Sequence, residues 1–103
     1  MKKTKRIICK QYIEWVKSLP SCVSMMPSDH PHHIINVLPS GTATKPHDFF
    51  TCALTQNEHH LLHHNGARQW EKDNDVNQAE EVLKTLNKAV NEGLIEIKWV
   101  GEL

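Results

Sequence analysis

The chain of 103 residues lacks the compositional signatures that would place it in a broad class at a glance. It has no net charge, because 12 Lys and Arg balance 12 Asp and Glu; this excludes a polycation built to coat nucleic acid. Its three cysteines, Cys9, Cys22 and Cys52, form neither a Cys-x-x-Cys pair nor an even disulfide framework. That pattern suits a reducing cytoplasm with the thiols packed or idle. No run approaches the roughly 18 apolar residues of a membrane span. The charged N-terminus lacks the apolar stretch of a secretory signal. There is no internal repeat and no low-complexity segment. What is left is one domain with a modest core, expected to be soluble and cytoplasmic.

Positive charge is gathered locally. Lys2, Lys3, Lys5, Arg6 and Lys10 crowd the start of the chain, so residues 1–9 read as a basic arm, either a solvated tail or a grip on phosphate. Histidine is the residue in excess: all eight lie between His30 and His64. Imidazole serves as metal ligand, proton shuttle or plain polar group, and eight within one third of a chain are not scatter. The cluster is internal and broken by apolar residues, which excludes a purification tag.

Hydrophobic spacing assigns the elements around it. Tyr12, Ile13, Val16 and Leu19 recur near helical period, predicting a helix over 10–19 that Pro20 ends, with Tyr12 and Trp15 as packing residues. Residues 21–31 read as a loop. Residues 32–38 are rich in β-branched side chains and predict a strand, closed by Pro39-Ser40-Gly41. Residues 48–54 predict a second strand, antiparallel to the first. Thr55-Gln56-Asn57-Glu58 is a capping box, so a helix is expected from Gln56 through His64, with Asn65-Gly66 as its stop. Further helical turns follow over 67–72, then a polar hinge at Asp73-Asn74-Asp75. Ala79, Val82, Leu83, Leu86 and Val90 mark the apolar face of a last helix that Gly93 stops. Ile95, Ile97 and Trp99 alternate with Glu96 and Lys98, predicting a final strand within 94–100.

Three features carry chemistry. His32 and His33 are adjacent on a strand and point to opposite sides, so one can bind a metal while the other serves elsewhere. His59 and His63 lie four apart on the capped helix and share a face, which lets two imidazoles hold one divalent ion. Asp48, opening the second strand, can hydrogen-bond an imidazole. Three neutral nitrogens with an open position are the pattern of a catalytic metal site, unless Cys52 closes it. Spacing leaves the register open: His60 and His64 pair equally well, and His30 competes with His32. A zinc-protease helix is excluded, because His59-His60-Leu61-Leu62-His63 lacks the glutamate base of His-Glu-x-x-His.

The stretches His32-His33-Ile34, Lys45-Pro46-His47-Asp48-Phe49, Ala53-Leu54-Thr55, His59, Leu62-His63 and Gly66-Ala67-Arg68-Gln69-Trp70 resemble the HNH (ββα-metal) nucleases of the DUF968 group. That group includes a RecA-dependent nuclease of phage recombination. The lead-in from Tyr12 to Pro20 is similar as well, so the resemblance covers about the first three quarters of the chain. It implies an α+β fold with a ββα-metal core over 32–64 and an N-terminal helix; the C-terminal helix and strand over 77–100, read from periodicity, fall outside its motifs. It implies metal ligands His32, His59 and His63, with His33 as general base. Asp48 takes the place where many such enzymes carry asparagine. The implied activity is hydrolysis of DNA phosphodiesters with Mg²⁺ or Mn²⁺, Zn²⁺ fitting the same site, in a phage or prophage setting.

Lys45, Arg68 and Lys72 are the expected phosphate contacts. The rival expectations are a non-catalytic zinc module that binds DNA or protein, and a nuclease active only with a RecA filament. One departure stands out: relatives often carry zinc-binding cysteines where this chain has Ser21, Ser24 and Thr55. Loss of that zinc would leave the hairpin to be held by packing alone.

Overall fold

The structure, a computed structural model, describes residues 6–34 and 47–102. Among them are four helices and a two-stranded antiparallel sheet, a small α+β arrangement. In chain order these are α1 (Lys10–Lys17), β1 (His30–His33), β2 (Thr51–Leu54), α2 (Gln56–Asn65), α3 (Ala67–Asn74) and α4 (Gln78–Asn91).

The strands differ from the sequence expectation at their ends. β1 begins earlier, at His30, and its register pairs His32 with Cys52 and His33 with Thr51. Ile34 continues the pairing through its N–H to the Phe50 carbonyl, 3.0 Å; positions 35–38 of the expected strand, and Lys45, lie outside the described residues. β2 starts only at Thr51 because residues 48–50 turn instead. There the Phe50 N–H donates to the His47 carbonyl at 3.0 Å, and the Thr51 hydroxyl donates to the Asp48 carbonyl at 3.0 Å. β2 is buried along its whole length, so both of its faces are covered. Helix α1 lays Tyr12 and Val16 against Ala53 and Ala89, and α4 lays Val82 beside Cys52 and Ile34.

The apolar face of α4 is rotated from the expected one. Val82, Thr85 and Ala89 are buried, with Leu86 packed partly against them, while Leu83 is 66 % and Val90 36 % exposed. Small side chains allow close approach to the hairpin, and Thr85 meets its own polar need by donating to the Glu81 carbonyl, 2.8 Å. The expected strand over 94–100 does not form. Gly93 ends α4 at φ 75°. Ile95 packs partly against the α1 cluster, but Ile97, Trp99 and Val100 are exposed. Alternation makes a strand only where a neighbouring strand supplies the hydrogen bonds, and none lies beside this segment among the described residues.

Helix α2 begins where the capping box said it would. Thr55 Oγ1 accepts from the Glu58 N–H at 3.1 Å, and Glu58 Oε1 accepts from the Thr55 N–H at 2.8 Å. Glu58 does more than cap. Its carboxylate also accepts from the buried Ser21 hydroxyl and from Ser24, and Ser21 Oγ in turn accepts from the Val23 and Ser24 N–H groups. The three positions that the resemblance marked as lost zinc ligands therefore meet at one carboxylate. The expectation that packing alone holds this corner is corrected: hydrogen bonds to a charge hold it. Burial would raise the Glu58 carboxyl, but its hydrogen bonds to Ser21, Ser24 and Thr55 outweigh that and keep it below the ordinary glutamate range.

Helix α3 is anchored by Trp70, 2 % exposed, packed with Leu54 and Leu62. Gly66 supplies the break before it with φ 86° and ψ 149°, a conformation that favours glycine.

Replacing the Glu58 carboxylate should loosen this corner more than loss of a simple helix cap does. Glu58→Ala is expected to lower unfolding stability by about 2 kcal/mol, and Thr55→Ala by about 1 kcal/mol. Urea denaturation of both variants checks this, and equal losses would remove the role given to Ser21 and Ser24.

Candidate metal centre

His32 lies on the face of β1 that α2 covers, and it is 2 % exposed. Helix α2 presents His59 and His63 to it one turn apart. The ring centroids stand 5.1 Å (His32 to His59), 5.9 Å (His32 to His63) and 4.6 Å (His59 to His63) apart. One ligand nitrogen from each of the three lies within 4.8 Å of the others, and Nε2 of His59 and of His63 are 3.0 Å apart. Neutral imidazoles at this spacing suit Zn²⁺ and other divalent ions of the first transition row. Three ligands leave coordination positions for water or substrate.

The alternatives left open by spacing are resolved by position. His60 and His64 are exposed on an adjoining face of α2, stacked on each other at 6.1 Å. His30 stacks on His59 at 5.9 Å but sits outside the converging set. Cys52 does not join it either. It is 1 % exposed among Ile34 and Val82, and its thiol is hydrogen-bonded to Cys22. That bond and burial push it up and keep it protonated.

Burial holds His32 well below the ordinary imidazole range, at about 4. A hydrogen bond to Gln78 works against this, while the neighbouring charges of His59, His63 and His33 add to it. His59 is lowered too, first by burial and then by His63 and His30. Both are therefore neutral near pH 7, the form that ligates metal.

His33 points to the other side of the strand, as alternation requires. Its Nε2 lies 3.0 Å from Asp48 Oδ1. Asp48 is 4 % exposed and accepts three hydrogen bonds in all: Oδ1 also takes Arg6 Nη2 at 3.1 Å, and Oδ2 takes the Cys9 N–H at 2.8 Å. Burial would raise this carboxyl; the Cys9 N–H, His33 and Arg6 together hold it below the usual aspartate range. An ionised carboxylate accepting from His33 Nε2–H leaves Nδ1 with its lone pair, able to take a proton.

The segment before α1 belongs to this arrangement, which the reading of residues 1–9 as an arm did not foresee. Residues 6–9 run beside 47–48: the Ile7 N–H donates to His47 Nδ1 at 2.7 Å, and the Asp48 N–H donates to the Ile7 carbonyl at 3.0 Å. Arg6 is thus engaged with Asp48. Basic charge in a terminal run carried no sign of it.

Of the expected phosphate contacts, Arg68 and Lys72 are exposed, four apart on α3. The side chain that sequence reasoning missed is Gln78, the first residue of α4, whose Oε1 lies 2.7 Å from His32 Nε2.

The lowered imidazoles set a pH dependence for the metal-free protein. The unfolded chain gains protons on His32 and His59 as pH falls through about 6.5, whereas folded His32 stays neutral down to about 4. Stability is therefore full above that upper value and falls as pH drops through the window. Unfolding free energies from urea denaturation should decline between about pH 7 and about pH 5, with His32 contributing about 2 kcal/mol. His32→Gln should flatten the decline; a variant as steep as wild type would deny His32 its buried neutral state.

Comparison with known proteins gives one family and one relative. The family described as "Protein of unknown function (DUF968)" matches residues 1–93, further along the chain than the resemblance reached and through the whole of α4. The uncharacterized protein YdfU of Escherichia coli (strain K12) is 39 % identical over 61 residues, which make up 59 % of this chain and 18 % of that protein. The chain thus spans less than a fifth of the curated relative it matches. No solved structure matches it. By the extent of the family match, the chain belongs to the DUF968 family.

Proposed function

We propose that this chain is a metal-dependent DNA endonuclease of the HNH (ββα-metal) kind, hydrolysing phosphodiester bonds. One observation carries the reading: His32, His59 and His63 converge within 4.8 Å, and His33, next to His32 on β1, is paired with Asp48 on the opposite side of that strand. β1, β2 and α2 follow one another in the order of a ββα unit, and the three imidazoles offer the donor set such a site needs. The HNH kinship itself comes from the sequence resemblance.

In this reading His33 accepts a proton from the attacking water at Nδ1, while Asp48 fixes the ring and stabilises the imidazolium that results. Arg6 and the Cys9 N–H keep Asp48 ionised for that task. His32, His59 and His63 would hold the divalent ion; the imidazole set matches Zn²⁺ or Mn²⁺ better than Mg²⁺, the other ion the resemblance implies for activity, which prefers oxygen ligands. When bound, such an ion would supply Lewis-acid stabilisation of the charge that develops on the phosphate. Lys45, Arg68 and Lys72 are the proposed contacts to the DNA backbone, so weak sequence preference follows.

A second reading has its own support. The chain has no net charge, and a self-sufficient DNA binder usually shows a stronger basic face. A nuclease that acts only where a RecA filament presents the DNA needs no such face.

Incubation with supercoiled plasmid and Mg²⁺ or Mn²⁺, with and without RecA filament, tests both. Nicking is expected, and His33→Ala should lower its rate at least about 100-fold. His63→Ala should lose metal affinity by calorimetry along with activity. Tight Zn²⁺ binding without cleavage in either arm would favour the non-catalytic zinc module.

A further inference from the structure

Gln78 opens α4, outside the hairpin and helix that carry the histidines, yet its side chain reaches the buried ring of His32. The 2.7 Å contact is between Gln78 Oε1 and His32 Nε2. An amide oxygen can only accept, so the imidazole N–H is the donor. The proton then sits on Nε2, and Nδ1 is the nitrogen with a lone pair to offer. With His32 2 % exposed, this hydrogen bond decides both the tautomer and the rotation of the ring.

Gln78 is itself held in place. Its backbone N–H donates to Glu71 Oε2 at 2.7 Å, from the last turns of α3. The preceding residue, Asn77, caps α4 by accepting from the Glu80 N–H at 2.9 Å. Two helices outside the candidate ligand set thus fix the position of one amide oxygen.

We propose that Gln78 is a positioning residue of the metal centre, the acceptor that orients His32 and fixes its tautomer for the ion shared with His59 and His63. This rests on the metal reading above. A ligand imidazole whose other nitrogen is hydrogen-bonded is pre-oriented and more basic, and removal of such a partner commonly costs 10–100-fold in metal affinity. It also assigns α4 a part in the site: the helix braces the ligand on β1 while α2 brings the other two.

Titration calorimetry of the full chain with Zn²⁺ tests it, using wild type, Gln78→Leu and Gln78→Glu. Leucine keeps the bulk and removes the acceptor, so about 10–100-fold weaker binding is expected. Glutamate keeps an acceptor and should bind as tightly as wild type or more so. The Co²⁺ absorption spectrum of saturated Gln78→Leu should match wild type, because the three imidazoles remain.

Wild-type affinity in Gln78→Leu overturns the inference, and so does equal weakening in Gln78→Glu, which would reduce the side chain to a spacer. A changed Co²⁺ spectrum overturns it in favour of Gln78 as a direct ligand. If Gln78→Leu does not fold, Gln78→Asn takes its place, since its shorter chain stops short of His32. Failure of the wild type to bind Zn²⁺ or Co²⁺ would instead strike at the metal reading itself.

Discussion

Glu58 stands where the loop after α1, the end of β2 and the start of α2 meet, and much of the site follows from its place there. Its carboxylate accepts from Ser21, Ser24 and the Thr55 N–H, while its own N–H is held by the Thr55 hydroxyl. A helix turns about 100° per residue. A start displaced by one residue would therefore carry His59 and His63 away from β1 and bring other side chains round. Because Glu58 fixes the first turn, it also fixes which imidazoles face His32. A charge caged by hydrogen bonds thus holds this corner.

Asp48 plays the corresponding part on the other side of the sheet. It joins the segment before α1, the start of that helix and His33, so one buried carboxylate links the N-terminus to the proposed base. The candidate metal ligands and the proposed base thus hang on separate anchors on opposite sides of one short strand. The two are still coupled, since a charge on His33 would disfavour one on His32. Gln78 adds a third anchor from α4. Both elements that carry these imidazoles are short, four residues in β1 and ten in α2, and elements of that length depend on such external partners to hold a geometry.

Local chemistry was legible in the residues themselves. The capping box named the first residue of α2, because reciprocal hydrogen bonds between Thr55 and Glu58 are made within one turn and need nothing from the rest of the chain. Adjacency separated His32 from His33, and four-residue spacing paired His59 with His63, since both are properties of a single element. The stop of α4 at Gly93 was equally local.

What spacing left open was decided by what lies opposite. His60 and His64 match His59 and His63 in period; only the contact with His32 distinguishes them, and that contact joins residues far apart in sequence. The same limit explains the rotated face of α4, where Thr85 and Ala89 are buried because the hairpin approaches closely. It explains residues 94–100, whose alternation has no strand beside it. Gln78 was invisible for the same reason: a glutamine at a helix start is ordinary until a buried imidazole stands 2.7 Å away. Periodicity states where side chains point within an element. Packing alone states what they meet, and in this chain it turned a stretch of eight histidines into one converging set of three, with His33 held apart on Asp48.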